Sequence, residues 1–295
     1  MHSFILSCCS IVDLTPERLA KRDIVFAPFH FTLNGVEHTD DMGTTMSSEA
    51  FYAAMIDDAT VSTSQINVEE YIQYFRPFLL DGHDVLHLAL SSGLSGSYNS
   101  ARIAVETLRE EFPDRKLYVI DTLGGSAGAG LLIDSAADRR DAGASIDEVY
   151  QWVEENKLKL HHWFTASDLT WFIKGGRISK AAGWFGTALK ICPVLNVDVQ
   201  GRLVPRFKIR GKLKSLKELV NQMGEHAEGG KNYAGKCFIS HSACIEDARI
   251  VAGEIEKQFP HLDGSVQISN IGTTIGSHCG PGTVALFFWG DQRIN

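Results

Sequence analysis

The stretch "HLALSSGLSGSYNSA", residues 87–101, runs from a strand-like apolar segment through a loop into a helix-like pattern. Between Ser91 and Gly96 the loop packs three hydroxyls and two glycines into six residues. Upstream, "DVLHLALS" is a nearly unbroken apolar run, as suits a strand buried on both faces. Downstream, "GSYNSARIAVETLREEF" has apolar residues at helical spacing. The same order returns in "KLYVIDT" followed by "GSAGAGLLIDSAADRRDAG", whose small residues allow a helix to pack closely. Ahead of the loop, "SFILSCCS" and "DIVFAPFHFTLNG" read as strands, the second closing in a turn at Asn34-Gly35. "SSEAFYAAMIDD" predicts a serine-capped helix with Phe51, Met55 and Ile56 on one face. "NVEEYIQYFRPFLLDG" predicts a helix that stops at Pro77. This alternation defines an α/β chain with a mainly parallel sheet flanked by helices.

At 295 residues and 44% hydrophobic content, the chain is long enough for two domains with sizeable cores. "SIDEVYQWVEENKLKLHHWF" predicts an amphipathic helix leading into a strand, and the junction is placed there: residues 1–160 form one α/β domain and 161–295 the other. Beyond it, a helix is expected around Asp168–Lys174, then the glycine-broken "KGGRISKAAGWFG", then a hairpin turning at Gln200-Gly201. "LKSLKELVNQMGEHA" and "IEDARIVAGEIEKQF" read as helices, and "GKCFISHSA", "SVQISNIG" and "GTVALFFWG" as strands.

A net charge of −8 argues against nucleic acid as a partner. No apolar run reaches the roughly 18 residues of a membrane span, and transient contact with a membrane surface stays compatible with that. "MHSFILSCCS" has no basic n-region, so a cytoplasmic location is expected. Six cysteines without CxxC spacing read as free thiols, and no metal site is expected, because its ligands would have to assemble from distant segments.

The serine-glycine loop matches no nucleotide template: the chain has no GxxxxGK[ST] and no GxGxxG, so ATP binding by this chain alone is not expected. Gly93-Leu94-Ser95-Gly96-Ser97 also lacks the glycine spacing of a nucleophile elbow. A strand, a glycine-serine loop and a helix N-terminus nonetheless favour an anion, although the serines can equally serve as caps. "STSQ", residues 62–65, supplies a second hydroxyl cluster, read by itself as an N-cap for the following helix. "TTIGSHCGPG", residues 273–282, reads as a bent glycine-rich turn with His278 in its middle. A thiol nucleophile at Cys279 is disfavoured, because neighbours on an extended chain point to opposite faces. From Arg202 to Lys217 the chain carries seven basic residues and no acidic one, four of them (Arg202, Arg206, Lys208, Arg210) within the hairpin. Alternation on a strand would make them a one-sided positive stripe, either solvated or a docking surface for an acidic or phosphorylated partner.

Together, "TSQ" (63–65), "SSGLSGSYNSA" (91–101), "GGRIS" (175–179), "KIR" (208–210) and "IGSHCGPG" (275–282) resemble, in order and almost end to end, the DegV family of bacterial fatty-acid-binding proteins. The resemblance implies two α/β domains with a long-chain fatty acid in the cleft between them and no other cofactor. It further implies that Thr63, Ser95 and His278 hold the carboxylate, with Ser64, Ser92, Gly93, Gly96 and Gly280 as further loop contacts. Some members serve a separate kinase that phosphorylates the bound acid to an acyl phosphate, so a kinase partner is implied and no catalytic residue is expected in this chain. Two hydroxyls and an imidazole suit a carboxylate without a metal, and a protonated His278 would add charge assistance. The sequence departs from the family where members carry Thr-Asp-Ser: here Cys8-Cys9-Ser10 stand, and the acidic residue is lost. The alternative is an acyl hydrolase or transferase with Ser95 as nucleophile and His278 as base, against which no carboxylate is placed to orient the histidine.

Overall fold

A computed structural model describes residues 4–167, 169–179, 191–293 and 295. The first part of the chain contributes strands β1 (Ile5–Cys9), β2 (Ile24–Ala27), β3 (His30–Leu33), β4 (Val36–Thr39), β5 (Val61–Ser64), β6 (Val85–Ala89) and β7 (Leu117–Asp121). Among them lie helices α1 (Pro16–Lys21), α2 (Ser48–Ile56), α3 (Val68–Leu80), α4 (Ser97–Glu111), α5 (Ser126–Asp141) and α6 (Ile146–Asn156). There follow β8 (Leu160–Thr165), α7 (Thr170–Lys174), β9 (Ile191–Val197), β10 (Leu203–Arg210), α8 (Lys212–His226), β11 (Cys237–His241), α9 (Ile245–Gln258), β12 (Gln267–Asn270), α10 (Thr273–Cys279) and β13 (Val284–Trp289).

Three sheets organise these elements. β2-β1-β6-β7 form a four-stranded parallel sheet, β10-β9-β8-β13-β11-β12 a six-stranded sheet that is antiparallel except at β11-β12, and β4-β3-β5 a small antiparallel sheet. The α/β expectation with a parallel sheet flanked by helices is met. The single expected strand at residues 23–35 is two, β2 in the parallel sheet and β3 in the small one, separated at Pro28, which cannot donate to a ladder.

Helix α5 fills the space between the two large sheets and is buried along nearly all its length. Its glycines explain the fit. A Cβ at Gly130 would strike the Val12 carbonyl under β1, and one at Gly128 would strike His162 and Phe287 on the six-stranded sheet. Asp134, fully buried on α5, accepts from Arg18 Nε at 3.0 Å and Lys236 Nζ at 2.7 Å, tying α1 and the approach to β11 to this helix. Burial opposes its charge, but those hydrogen bonds prevail and hold its carboxyl below the usual range.

Several local expectations need correction. Ile56 is exposed, while Phe51, Tyr52 and Met55 form the buried face of α2. Helix α3 continues through Pro77 to Leu80, one further turn. Its N-cap is Asn67, in a reciprocal capping box with Glu70, so residues 62–65 do not cap it; Val61–Ser64 is strand β5. Residues 273–279 form helix α10 where a bent turn was expected. Asp168 and residues 180–190, which include part of the glycine-broken segment, lie outside the described residues.

Candidate functional site

Strand β6 delivers the chain into the loop at residues 91–96, and α4 begins immediately after it. Within the loop, Ser91 Oγ donates to the Gly201 carbonyl at 2.8 Å, and Arg177 Nε donates to the Leu94 carbonyl at 3.2 Å. These bonds anchor the loop to the β9–β10 turn and to the GGRIS segment. Ser95 Oγ accepts from Ser97 N–H at 3.2 Å, so its own proton is left to donate elsewhere. The N-cap of α4 is Gly96, so Ser95 only turns its hydroxyl oxygen to the first N–H of the helix.

Helix α10 brings His278 to the same place. Two buried carboxylates hold its N-terminus: Asp13 accepts from Gly272 N–H at 2.8 Å, and Asp40 accepts from the Thr274 hydroxyl at 2.5 Å. Gly276 lets the helix approach Phe51 and Tyr52, and Gly280 ends it at a positive φ of 67°. His278 Nε2 then lies 2.7 Å from Thr63 Oγ1 on β5, a contact spanning 215 residues of sequence.

Thr63, Ser95 and His278 line one cavity of about 270 Å³. Ser64, Gln65, Gly96 and Arg177 join them at its polar part, where Gly96 lies against the Gln65 amide. The remainder is mostly apolar. Leu90 and Leu94 come from β6 and its loop, Ile271 and Ile275 from α10 and its approach, and Phe164, Val197, Leu203, Ala285 and Phe287 from the six-stranded sheet. On β13, Ala285 and Phe287 face the cavity while Val284, Leu286 and Phe288 face helices α8 and α9. A mostly apolar pocket with a few converging polar groups suits an amphiphilic small molecule.

The electrostatics select neutral donors. Burial, assisted by the charge of Arg177, pushes His278 down to about 4, so the imidazole is neutral at neutral pH and the charge assistance considered from sequence is absent in the unliganded site. Its Nδ1 is buried without a hydrogen-bond partner among the described residues. An orphan lone pair is the cheaper of the two tautomeric choices, which puts the proton on Nε2 and lets Thr63 turn its hydroxyl proton into the cavity.

Of the remaining loop positions, Ser64 and Gly96 line the cavity, whereas Ser92, Gly93 and Gly280 do not. Ser92 N–H donates to Asp121 at 3.1 Å, Gly93 is pressed against the backbone of Gln200 and Gly201, and Gly280 packs on Trp171. Sequence reasoning missed Gln65 and Arg177 as site residues, although both stand inside motifs it singled out. His278 and Cys279 sit on a helix and not on extended chain, with the Cys279 thiol buried near the Gly280 carbonyl and pushed up to about 12 by burial. All six cysteines are free. Where the family's acidic residue is lost, Cys9 Sγ is enclosed 3.4 Å from Tyr71 Oη and 3.5 Å from His87 Nε2.

On the edge strand β10 the positive stripe is only partly realised. A register shift between Pro205 and Phe207 makes Arg206 the extra residue, and its Nε turns to Asn196 Oδ1 at 2.8 Å. Arg202, Lys208 and Arg210 are exposed. No helix among the described residues is long and apolar enough to cross a membrane.

Fold and site thus define a three-sheet α/β protein with a cavity polar in one part and apolar in the rest. A sequence profile described as "Uncharacterised protein, DegV family" matches residues 9–291, and the chain belongs to that family. A DegV domain-containing protein of Clostridium perfringens is 38% identical over 99% of both chains. Among solved structures, a DegV lipid binding protein of Thermotoga maritima shares 27% identity at a TM-score of 0.83, covering 99% of this chain and 100% of its own. A second Thermotoga maritima protein, described as revealing fatty acid binding function, shares 26% identity at 0.82 with the same coverage. The Streptococcus pneumoniae fatty acid kinase B3 protein, loaded with linoleic acid, shares the fold at 20% identity and a TM-score of 0.83, covering 98% of this chain and 100% of its own.

Proposed function

We propose that this protein binds one long-chain fatty acid, with its acyl chain in the apolar part of the cavity and its carboxylate at Thr63, Ser95 and His278. One observation carries the reading: the hydroxyls of Thr63 on β5 and Ser95 in the 91–96 loop face one cavity that is otherwise mostly apolar, with His278 on α10 donating to Thr63 and so turning its hydroxyl proton toward the ligand. Each buried methylene stabilises the complex by roughly 0.8 kcal/mol, so the chain supplies affinity and the polar groups fix its direction. Arg177 adds positive charge beside the carboxylate without a direct bond being required. Relatives described as binding lipid or fatty acid support the reading.

The acid is then presented to a partner kinase that phosphorylates its carboxylate. Support comes from the kinase-system neighbour and from the absence of a nucleotide-binding motif in this sequence. The exposed Arg202, Lys208 and Arg210 form the surface that would meet an acidic face of that partner. A serine hydrolase is disfavoured, because Ser95 Oγ is engaged with Ser97 N–H and no carboxylate bonds His278 Nδ1 among the described residues.

The Ser95→Ala, His278→Ala double variant is expected to bind fatty acid at least about 100-fold more weakly: the Ser95 hydroxyl is lost outright and Thr63 loses the imidazole that turns its proton to the carboxylate, two hydrogen bonds to a charged group at roughly 1.5–3 kcal/mol each. Displacement of a fluorescent fatty acid reads this directly, with circular dichroism as the folding control. Unchanged affinity, or turnover of a model ester that Ser95→Ala abolishes, would reverse the reading.

A further inference from the structure

On the other face of the six-stranded sheet, away from the cavity, three residues far apart in sequence converge. His161 is the second residue of β8, His226 closes α8, and Asp291 follows β13. His161 Nε2 lies 2.9 Å from Asp291 Oδ1, and His226 Nδ1 lies 3.2 Å from Oδ1 and 3.3 Å from Oδ2. All three donor atoms fall within 4.8 Å of one another, the one such cluster of His, Cys, Asp or Glu among the described residues. We propose that His161, His226 and Asp291 bind a first-row divalent metal ion of the zinc class.

The spacing fits the chemistry. Donors held about 2.0–2.1 Å from a tetrahedral ion stand roughly 3.3 Å apart, a spacing that the two imidazole–carboxylate distances here approach to within a few tenths of an ångström. Two imidazoles and one carboxylate suit zinc or its neighbours in the series and disfavour magnesium and calcium, which take oxygen ligands. The carboxylate side is open, with the Asp291 side chain 61% exposed, which leaves a fourth position for water or another ligand.

The backbone holds this geometry in advance. Asp291 N–H donates to the His226 carbonyl at 3.0 Å, Glu228 N–H to the Trp289 carbonyl at 3.1 Å, and Gly290 N–H to the Lys159 carbonyl at 2.8 Å. Those bonds lace together all three segments that carry the donors. Gly290 is required for the approach, since a Cβ there would strike the His226 carbonyl and come within 2.9 Å of the His161 ring. The rings are stacked as well: His161 stacks on Phe288 at 5.2 Å, His226 on Trp163 at 5.8 Å, and the two imidazoles on each other at 4.9 Å. Near-parallel rings aim their in-plane lone pairs side by side, so metal binding requires the partly exposed His226 ring to turn toward Asp291 while His161 stays held by Phe288. A bound ion would clip the chain after β13 to the end of α8. The sequence expectation of no metal site rested on the distance between potential ligands, which the fold removes.

The test uses the full-length protein after dialysis against EDTA. Calorimetry with ZnCl2 is expected to give one equivalent bound, a raised Tm, and no response to MgCl2. His226→Ala and Asp291→Asn should each weaken zinc binding by at least about tenfold, the loss that even outer partners of a bound ion produce. Co2+ loading of the wild type should give a d–d spectrum without a thiolate charge-transfer band, a readout that needs no variant to fold. No stoichiometric zinc binding by the wild type, binding that survives in both variants, or a thiolate band would each overturn the site.

Discussion

Ala285→Phe is expected to abolish retention of long-chain fatty acids while leaving the protein folded. Ala285 sits on β13 opposite Phe164 in the register and faces the cavity beside Phe287, so the small side chain is what keeps that stretch of the cavity open. A phenyl ring there occupies the space assigned to the acyl chain. If it displaces about five methylenes at roughly 0.8 kcal/mol each, about 4 kcal/mol of binding is lost, on the order of a thousandfold in Kd. The added ring fills existing space, so the overpacking cost should stay near the lower end of the usual 1–3 kcal/mol. Titration with fatty acids of increasing length checks this. Long chains should lose affinity steeply and short ones little, because the carboxylate end is untouched. Equal loss at every length would place the acyl chain elsewhere.

The second large effect is on stability against pH. Asp13 is fully buried between the segment after β1, the start of α5 and the start of α10, where Ser126 Oγ and Gly272 N–H donate to it. Burial raises its carboxyl to about 7 from an ordinary 3.8, with the nearby Asp40 adding to the rise. A carboxyl whose folded value is raised contributes its full stability below the unfolded value and loses it as pH rises through the folded one. Relative to Asp13→Asn, wild type should therefore lose stability between about pH 4 and pH 7, by roughly 4 kcal/mol from this group at about 1.4 kcal/mol per unit of displacement. Asp13→Asn keeps an acceptor for Gly272 N–H and supplies a neutral donor to Ser126, whose proton can turn to Ser240 at 2.9 Å. Its stability relative to the wild type should therefore grow across that window and be largest at pH 8. Denaturant unfolding of both proteins from pH 4 to pH 8 checks the sign. Parallel curves would mean that Asp13 is ionised in the fold at little cost.

The parallel sheet and its helices were legible because the period of the apolar residues changes at each element. "DVLHLALS" and "GSYNSARIAVETLREEF" announce β6 and α4 through local chemistry alone. Helix α10 was not legible. "TTIGSHC" has a helix-weakening glycine and two β-branched threonines, and the carboxylates that satisfy its first turn come from Asp13 and Asp40, more than 230 residues earlier. Tertiary hydrogen bonds create that helix. The bulge at Pro205–Phe207 was invisible for a related reason, since it is set by pairing with β9 and not by the alternation of β10 itself.

Of the site, the serine-glycine loop stood out by its own chemistry, but Thr63 on β5 and His278 on α10 were joined to Ser95 only through the resemblance to the DegV family. Thr63, Ser95 and His278 line one cavity, as a shared role requires. The apolar lining could not be read, because Ala285, Val197 and Leu203 look like any strand residues until the fold shows which face they occupy. Arg177 was hidden in a motif whose glycines drew the attention, and the neutral state of His278 depends on burial and on that arginine.

Native mass spectrometry of the full-length protein, purified from bacterial cells without detergent and then incubated with oleate, tests the central claim most directly. The expected spectrum shows one fatty acid per chain in the wild type and the bare chain mass in Ala285→Phe. A wild-type protein that stays at the bare chain mass after incubation would contradict a fatty-acid-binding function.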